Sequence, residues 1–257
     1  MDELTKKEIA LIQALYTRHG RKKYPYCIVE GVRSCSEFFA RVPEMAFFSV
    51  ANSAETAQNV KACGDIRIVP ESVFNKISGT MNSQGILVVS EIPAMPDASE
   101  INKDDFILAL DKVGDPGNFG TICRTAKAAG LTEIWYTKGS VDPFSDKVIR
   151  SAMTAQFLLK MRVFETLADL RDEAVRQGFC NVCLTKPGQG SSCFTTEGVF
   201  DKSVVVIGSE GHGVSELDNS VDVQIPMPGN FESLNAAQAA TILIFEYVRR
   251  KESKLKL

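Results

Sequence analysis

The sequence predicts an α/β protein in two parts, a C-terminal part built on a mainly parallel sheet and, before it, a smaller αβ unit. Three observations carry this. From about residue 104 onward, apolar strand-like runs alternate with helical periodicity, the pattern of a parallel sheet with crossover helices. Between Glu91 and Lys103 two prolines fall within four residues, Pro93 and Pro96, among small polar neighbours where neither helix nor strand is comfortable. A chain of 257 residues is long enough for two modest domains at roughly 150 residues each. The expected division is residues 1–95, a linker over 96–103, and 104–257.

Thr5 and Glu8 have the spacing of a capping box, and Ile9, Ile12 and Tyr16 beside Leu11 and Leu15 follow at helical spacing. An opening helix is expected, with Gly20 as its stop. A strand is then expected over Tyr26–Val29, a helix over Val32–Arg41, a strand over Ala46–Val50, a helix over Ala54–Ala62 and a strand over Ile66–Val69. A short helix and a strand over Gly85–Ser90 complete the first unit. The second unit runs as strand Phe106–Leu110, helix Phe119–Ala129, strand Glu133–Tyr136, and helices Ser145–Phe157 and Leu167–Gln177. Strands Phe179–Leu184, Val204–Ile207 and Val221–Ile225 follow, and a last helix from about Leu234 to Arg250. Parallel sheets bind ligands at the carboxyl ends of their strands, so the loops there are the place to look.

Composition narrows the classes of function. Hydrophobic residues make up 44% and charged residues 24%, ordinary globular usage that excludes a mostly disordered or fibrous chain. Lys+Arg number 29 against Asp+Glu 32, a net charge of -3, so a nucleic-acid partner must be met by a local basic patch. The longest weakly polar run, Ala236–Val248, is broken by Gln238, Thr241 and Glu246 and falls short of the roughly 18 residues of a membrane span. The start, with Asp2 and Glu3, lacks the features of a secretory signal, so a cytoplasmic protein is expected. Seven cysteines read as reduced, five of them in apolar surroundings. Cys180 and Cys183 form a CxxC, but inside a strand-like run that points them to opposite faces, so no metal site is expected.

Three Gly-rich turns follow expected strands: Asp111 to Gly120, Gly208 to Gly213, and Pro226 to Asn230. Glycines let a loop offer backbone groups to a ligand, and three such loops at strand ends could wall one pocket. The GxGxxG fingerprint, the phosphate-binding GxxxxGK[ST] and the GxSxG elbow are all missing, which disfavours dinucleotide, P-loop and triad chemistry. His212 reads as a loop residue. Arg124 stands on an otherwise apolar helix among Ile122, Cys123 and Ala126, so it either pairs with a carboxylate or projects into a polar site. Ser233 is placed to cap the last helix, whose Ala236, Ala237, Ala239 and Ala240 permit close packing.

Asn118-x-Gly120-x-x-x-Arg124, Gly208-x-Glu210-x-x-Gly213, and Ile225-Pro226-Met227 with Ser233-Leu234-Asn235 stand in an order and spacing that resembles the three signature motifs of the SpoU (TrmH-like) RNA ribose methyltransferases of the SPOUT superfamily. The match spans about residues 104–250. Val29-Glu30-Gly31 and Gln84-Gly85-Ile86-Leu87 resemble, more loosely, that family's N-terminal RNA-binding domain. The resemblance implies a SPOUT-type sheet with a C-terminal trefoil knot, a homodimer, and S-adenosylmethionine bound among the motif loops. Carried over by position, Arg124 is similar to the catalytic arginine, with Asn118, Glu210, Ser233 and Asn235 as the other polar site residues. Backbone groups near Thr185, Gly208, Ile225, Met227 and Leu234 would hold the cofactor. Two departures stand out: Ala236-Ala237 replaces the commoner Val-Ser, and Thr154 stands where glycine is usual.

Methyl transfer to a ribose 2′-hydroxyl is an in-line displacement by a poor nucleophile, so the site must align two atoms and stabilise a developing alkoxide. An always-protonated guanidinium such as that of Arg124 suits the second task. Asn118 and Glu210 could orient arginine or ribose. For RNA, ribosomal or transfer, the sequence offers Arg18, Arg21, Lys22 and Lys23 beside Tyr24 and Tyr26. Residues 1–33 hold seven basic against four acidic side chains, suited to phosphate contact and base stacking or simply to a solvated helix end. The rival function is an RNA-binding assembly factor without turnover, which has no evident need for Arg124, Glu210 and Asn235 together.

Overall fold

The computed structural model describes residues 4–97, 99–102, 104–229 and 232–255. Ala98 and Lys103 of the expected linker and Asn230 of the third Gly-rich turn lie outside the described residues. The chain divides into two compact units, Met1–Ala94 with Asp142–Phe157, and Met95–Val141 with Leu158–Leu257.

The first unit opens with α1 (Lys6–Leu15), whose capping box is formed as expected: the Thr5 hydroxyl accepts from the Glu8 N–H and the Glu8 carboxylate accepts from the Thr5 N–H. Gly20 does not stop this helix. Thr17 caps a second short helix, α2 (Arg18–Lys23), and Gly20 is buried inside it. A Cβ there would fall 2.0 Å from the Ala14 carbonyl oxygen, so the glycine serves close packing of α2 on the preceding turn. Then follow β1 (Tyr26–Glu30), α3 (Val32–Arg41), β2 (Ala46–Ala51), α4 (Ala54–Asn59), β3 (Ile66–Ile68), α5 (Glu71–Ile77) and β4 (Ile86–Glu91). The strands form a mixed sheet in the order β1-β4-β2-β3, antiparallel except between β2 and β3. Ile12, Leu15, Ile28, Phe48, Phe74 and Leu87 are among the buried side chains of its core.

The second unit contains β5 (Phe106–Asp111), α6 (Pro116–Ala128), β6 (Glu133–Thr137), β7 (Lys160–Phe164), α8 (Leu167–Arg176) and β8 (Asn181–Thr185). It ends with β9 (Ser191–Ser192), β10 (Ser203–Gly208), β11 (Val221–Gln224) and α9 (Ala236–Leu255). Seven strands pair in the order β7-β6-β5-β10-β8-β11-β9, parallel throughout. Trp135, Leu170, Leu184, Val204 and Val206 lie in the core. β7 was not anticipated, because Lys160 and Arg162 interrupt its apolar run. Arg162 is buried all the same, its Nε 2.8 Å from the buried Glu133 carboxylate, and pairing is what makes such burial tolerable.

The region 142–157 departs from the expected division. It holds α7 (Asp146–Ala152) and belongs to the first unit, where α7 packs on β1 and the Phe157 ring meets Phe38 edge-on at 5.5 Å. The single helix expected over Ser145–Phe157 is broken at Met153 and Thr154, whose φ angles of 51° and 64° are left-handed. Such a conformation at a β-branched residue is costly and favours glycine, so the departure at Thr154 carries backbone strain that glycine would relieve.

Candidate active site

β8, β10 and β11 end side by side at Thr185, Gly208 and Gln224, and a cavity of about 430 Å³ opens at those carboxyl ends. All five positions expected to hold a cofactor, Thr185, Gly208, Ile225, Met227 and Leu234, line it, together with Glu210, Ser233 and Asn235. Lys186 and Gln224, which the sequence reading passed over, line it too. Their only signal was adjacency to a strand end.

The middle loop is closed on itself. The Ser209 N–H donates to the Gly213 carbonyl at 3.1 Å and the Gly213 N–H to the Ser209 carbonyl at 2.9 Å. A Cβ on Gly208 would fall 2.1 Å from the Gly213 carbonyl carbon, and Gly213 has φ +67°. Both glycines are therefore required by loop closure, whatever they offer to a ligand. His212 is an exposed residue of this loop.

Two helix starts meet beside the loop. Asp115 caps α6 by accepting from the Asn118 N–H at 2.7 Å. Asn235, and not Ser233, caps α9: its side-chain oxygen accepts from the Ala237 N–H at 2.9 Å and the Gln238 N–H at 3.3 Å, while Ser233 is exposed. That leaves the Asn235 amide free to donate to the Asn118 side-chain oxygen at 3.0 Å, and the Asn118 amide in turn donates to the Glu210 carboxylate. Each amide has one orientation available, so the relay fixes Glu210 at the cavity wall near two positive helix ends. Elsewhere in the lining, hydrogen bonds from Lys186 to Asp222 and Glu216, each at 3.1 Å, hold its ammonium above the usual lysine range.

Arg124 does not join this cluster. It lies six residues after Asn118, roughly 240° round the helix, on an exposed stripe of α6 with Gly117, Thr121 and Ala128. It forms no ion pair among the described residues and does not line the cavity. Of the two readings of this arginine, pairing with a carboxylate is excluded among the described residues. Arg18, Lys22 and Lys23 are exposed, and Lys23 lies 5.1 Å from the Tyr24 ring centre. Arg21 corrects the expectation of a phosphate contact: its side chain is only 7% exposed, 2.7 Å from Asp142 and bonded to the Leu15 carbonyl. A guanidinium held by a carboxylate inside its own unit is a structural group.

Cys27, Cys35, Cys123, Cys183 and Cys193 are buried and Cys63 and Cys180 exposed, all as free thiols. Cys180 lies just before β8, outside the strand expected to hold both thiols, whereas Cys183 lies within β8, where Val182, Cys183 and Leu184 are all buried. No helix among the described residues is long and apolar enough to cross a membrane.

Residues 105–245 match the SpoU rRNA methylase family model, and residues 6–88 match an MRM3-like substrate-binding domain. A 23S rRNA guanosine 2′-O-methyltransferase of Bacillus subtilis is 27% identical over 234 residues, 90% of this chain and 92% of that protein. Among solved structures, a TrmH-family protein of Porphyromonas gingivalis superposes with a TM-score of 0.83 and 30% identity, covering 97% of this chain and all of the other. An AdoMet-bound rRNA methyltransferase of Sinorhizobium meliloti does so at 0.80 and 26%, covering 97% of each chain. A parallel sheet ending in this loop cluster, with the polar relay at its rim and a family match over more than half the sequence, makes this chain a member of the SpoU rRNA methylase family.

Proposed function

We propose that this protein transfers a methyl group from S-adenosylmethionine to a ribose 2′-hydroxyl of ribosomal RNA. The observation that carries it is the convergence of all five cofactor positions and Glu210 on one cavity. The cavity fits the group: its about 430 Å³ lies in the size range of small-ligand sites, about 300–1,000 Å³. Its walls combine apolar Ile207, Ile225, Met227 and Leu234 with the charges of Glu210 and Lys186. The bound cofactor supplies an activated methyl on a sulfonium. Backbone at Thr185, Gly208, Ile225, Met227 and Leu234 would hold it, and Glu210, oriented by Asn118 and Asn235, would fix the ribose or the cofactor's cationic end. Arg124, with no carboxylate partner among the described residues, offers its guanidinium to the developing alkoxide or an adjacent phosphate.

The first unit, residues 1–94 with 142–157, serves as the RNA-binding domain and the second, 95–141 with 158–257, as the catalytic domain, with Arg18, Lys22 and Lys23 as phosphate contacts. The exposed small-residue stripe of α6 and the exposed Phe245 of α9, 48% accessible on a helix that packs against α6, support a homodimer formed on these helices. A cytoplasmic site of action accords with an rRNA substrate. Incubation with tritiated S-adenosylmethionine and in vitro transcribed 23S rRNA or tRNA, followed by mapping of alkali-resistant linkages, tests the proposal. Label in 23S rRNA at a ribose is expected; label confined to tRNA moves the substrate, and label at a base overturns the 2′-hydroxyl assignment.

A further inference from the structure

The first unit contains a cavity of about 350 Å³ that shares no lining residue with the candidate active site. It is assembled where β1 turns into α3 and where the chain approaches β4. Glu30 and Gly31 from the first turn and Gln84 from the second line it, so the two N-terminal motifs singled out in the sequence meet in one place. Arg33, Asn82 and Arg150 complete its polar wall.

The frame of this cavity is held rigidly. Glu30 is buried, and its carboxylate accepts from the Tyr16 hydroxyl at 2.7 Å, the Gly79 N–H at 3.1 Å, the Thr80 hydroxyl at 2.9 Å and the Ser78 hydroxyl. Four donors on one carboxylate consume its accepting capacity and pin the 78–80 loop. Gln84 accepts from the Val32 N–H at 2.7 Å through its side-chain oxygen, and Gly31 takes φ +97° to make the turn.

Its donors, by contrast, are left over. Arg33 is exposed and Asn82 is exposed, and neither side chain has a hydrogen bond among the described residues. Arg150 spends Nη2 on Asp146 at 2.9 Å, yet its Nη1 is buried and without a partner. A buried guanidinium N–H with no acceptor is costly, so the arrangement suits a ligand rich in acceptors. The first turn of α3, with Arg33 and Ser34 in the lining, adds a positive helix end on the same side. The nearby carboxylates do not cancel this, because Glu30 is saturated by its four donors and Asp146 engages only one nitrogen of Arg150.

We propose that this cavity binds one nucleotide of the RNA substrate, its phosphate held by Arg33 and Arg150 and its polar edges met by Asn82 and Ser34. The inference rests on the RNA-methylation reading and gives the N-terminal unit a defined contact apart from the basic helix α2. A phosphodiester and free inorganic phosphate share the chemistry of the arginine pair, whereas the volume is that of a small organic ligand.

The test uses the full-length protein and in vitro transcribed 23S rRNA in filter binding. Arg33→Gln, at an exposed and unpaired position, is expected to raise the RNA Kd about tenfold and to lower the salt slope by about 0.7. S-adenosylmethionine affinity and melting temperature serve as controls. Arg150→Gln should act in the same direction, read only if its melt is unchanged. An Arg33→Gln protein with wild-type Kd and slope overturns the site, while methylation by the wild type leaves the functional reading standing. A wild type that binds no rRNA overturns both. Amide shifts at Gly31 to Ser34 with uridine 5′-monophosphate, and weaker ones with inorganic phosphate at equal concentration, support a nucleotide; equal shifts reduce the site to a plain anion pocket and overturn that assignment.

Discussion

The two cavities of this protein are built by different means. In the parallel-sheet unit the position of the cavity follows from topology, since three strands end together and their loops supply mostly backbone and apolar walls. In the mixed-sheet unit the end of β1 meets the start of the antiparallel β4, and the cavity beside them is lined largely by polar and charged side chains, two of them arginines. Substitutions should therefore act through loop closure in the first and through charge in the second.

The sharpest departure from that rule is expected at Arg124, a charged residue of the parallel-sheet unit. Arg124→Ala and Arg124→Lys should each lower single-turnover methylation on the order of 10² to 10³ while cofactor binding persists, as for loss of one preorganised electrostatic donor. Near-normal methylation by the alanine variant would remove Arg124 from the proposed chemistry. Next comes Gly208→Ala, whose added methyl meets the Gly213 backbone. It should cost about 2 kcal/mol of stability, as overpacking does, and weaken cofactor affinity in calorimetry; unchanged affinity would break the link between loop closure and the site.

In the mixed-sheet unit, neighbours on one helix should behave differently. Arg21→Ala should destabilise by about 1–2 kcal/mol, less than a fully buried pair because Asp142 is partly exposed. The Arg18, Lys22, Lys23→Gln triple variant should melt normally and lower the slope of log affinity against log salt by about 2, at roughly 0.7 per phosphate on single-stranded RNA. A shifted melt for the triple variant, or a normal one for Arg21→Ala, would reverse this division of labour. The smallest effect is expected at Glu246, whose hydrogen bonds from Arg249 and Arg250 lower its carboxyl to about 2. A carboxyl lowered by folding stabilises above its unfolded value and loses that contribution as pH falls towards 2. Glu246→Gln should therefore lower the melting temperature slightly at pH 7 and leave it unchanged at about pH 2, checked by parallel melts.

Much of this molecule is written locally. The capping box at Thr5, the bounds of α3, the alternation that makes the parallel sheet and the three loops at its strand ends were legible because each depends on residues within a turn or two of one another. That Thr185, Gly208, Ile225, Met227 and Leu234 line one cavity was legible through a motif set whose order and spacing are specific. β7 was missed because a charge inside a strand looks solvated until its distant partner, Glu133, is known.

The sequence by itself determined most of the elements, the glycines of the Gly208–Gly213 loop, and most of the residues at the cavity rim. Tertiary structure alone decided the fates of the charged side chains. Arg21 is consumed by Asp142, 121 positions away, and Arg124 stands on an exposed face with no ion pair among the described residues. It also decided that Asn235 and not Ser233 starts the last helix, and that residues 142–157 fold with the first unit. The reason is one of range. Helix periodicity, caps and turns are set by neighbours along the chain, whereas an ion pair or a packed ring is set by which distant segments the hydrophobic core brings together.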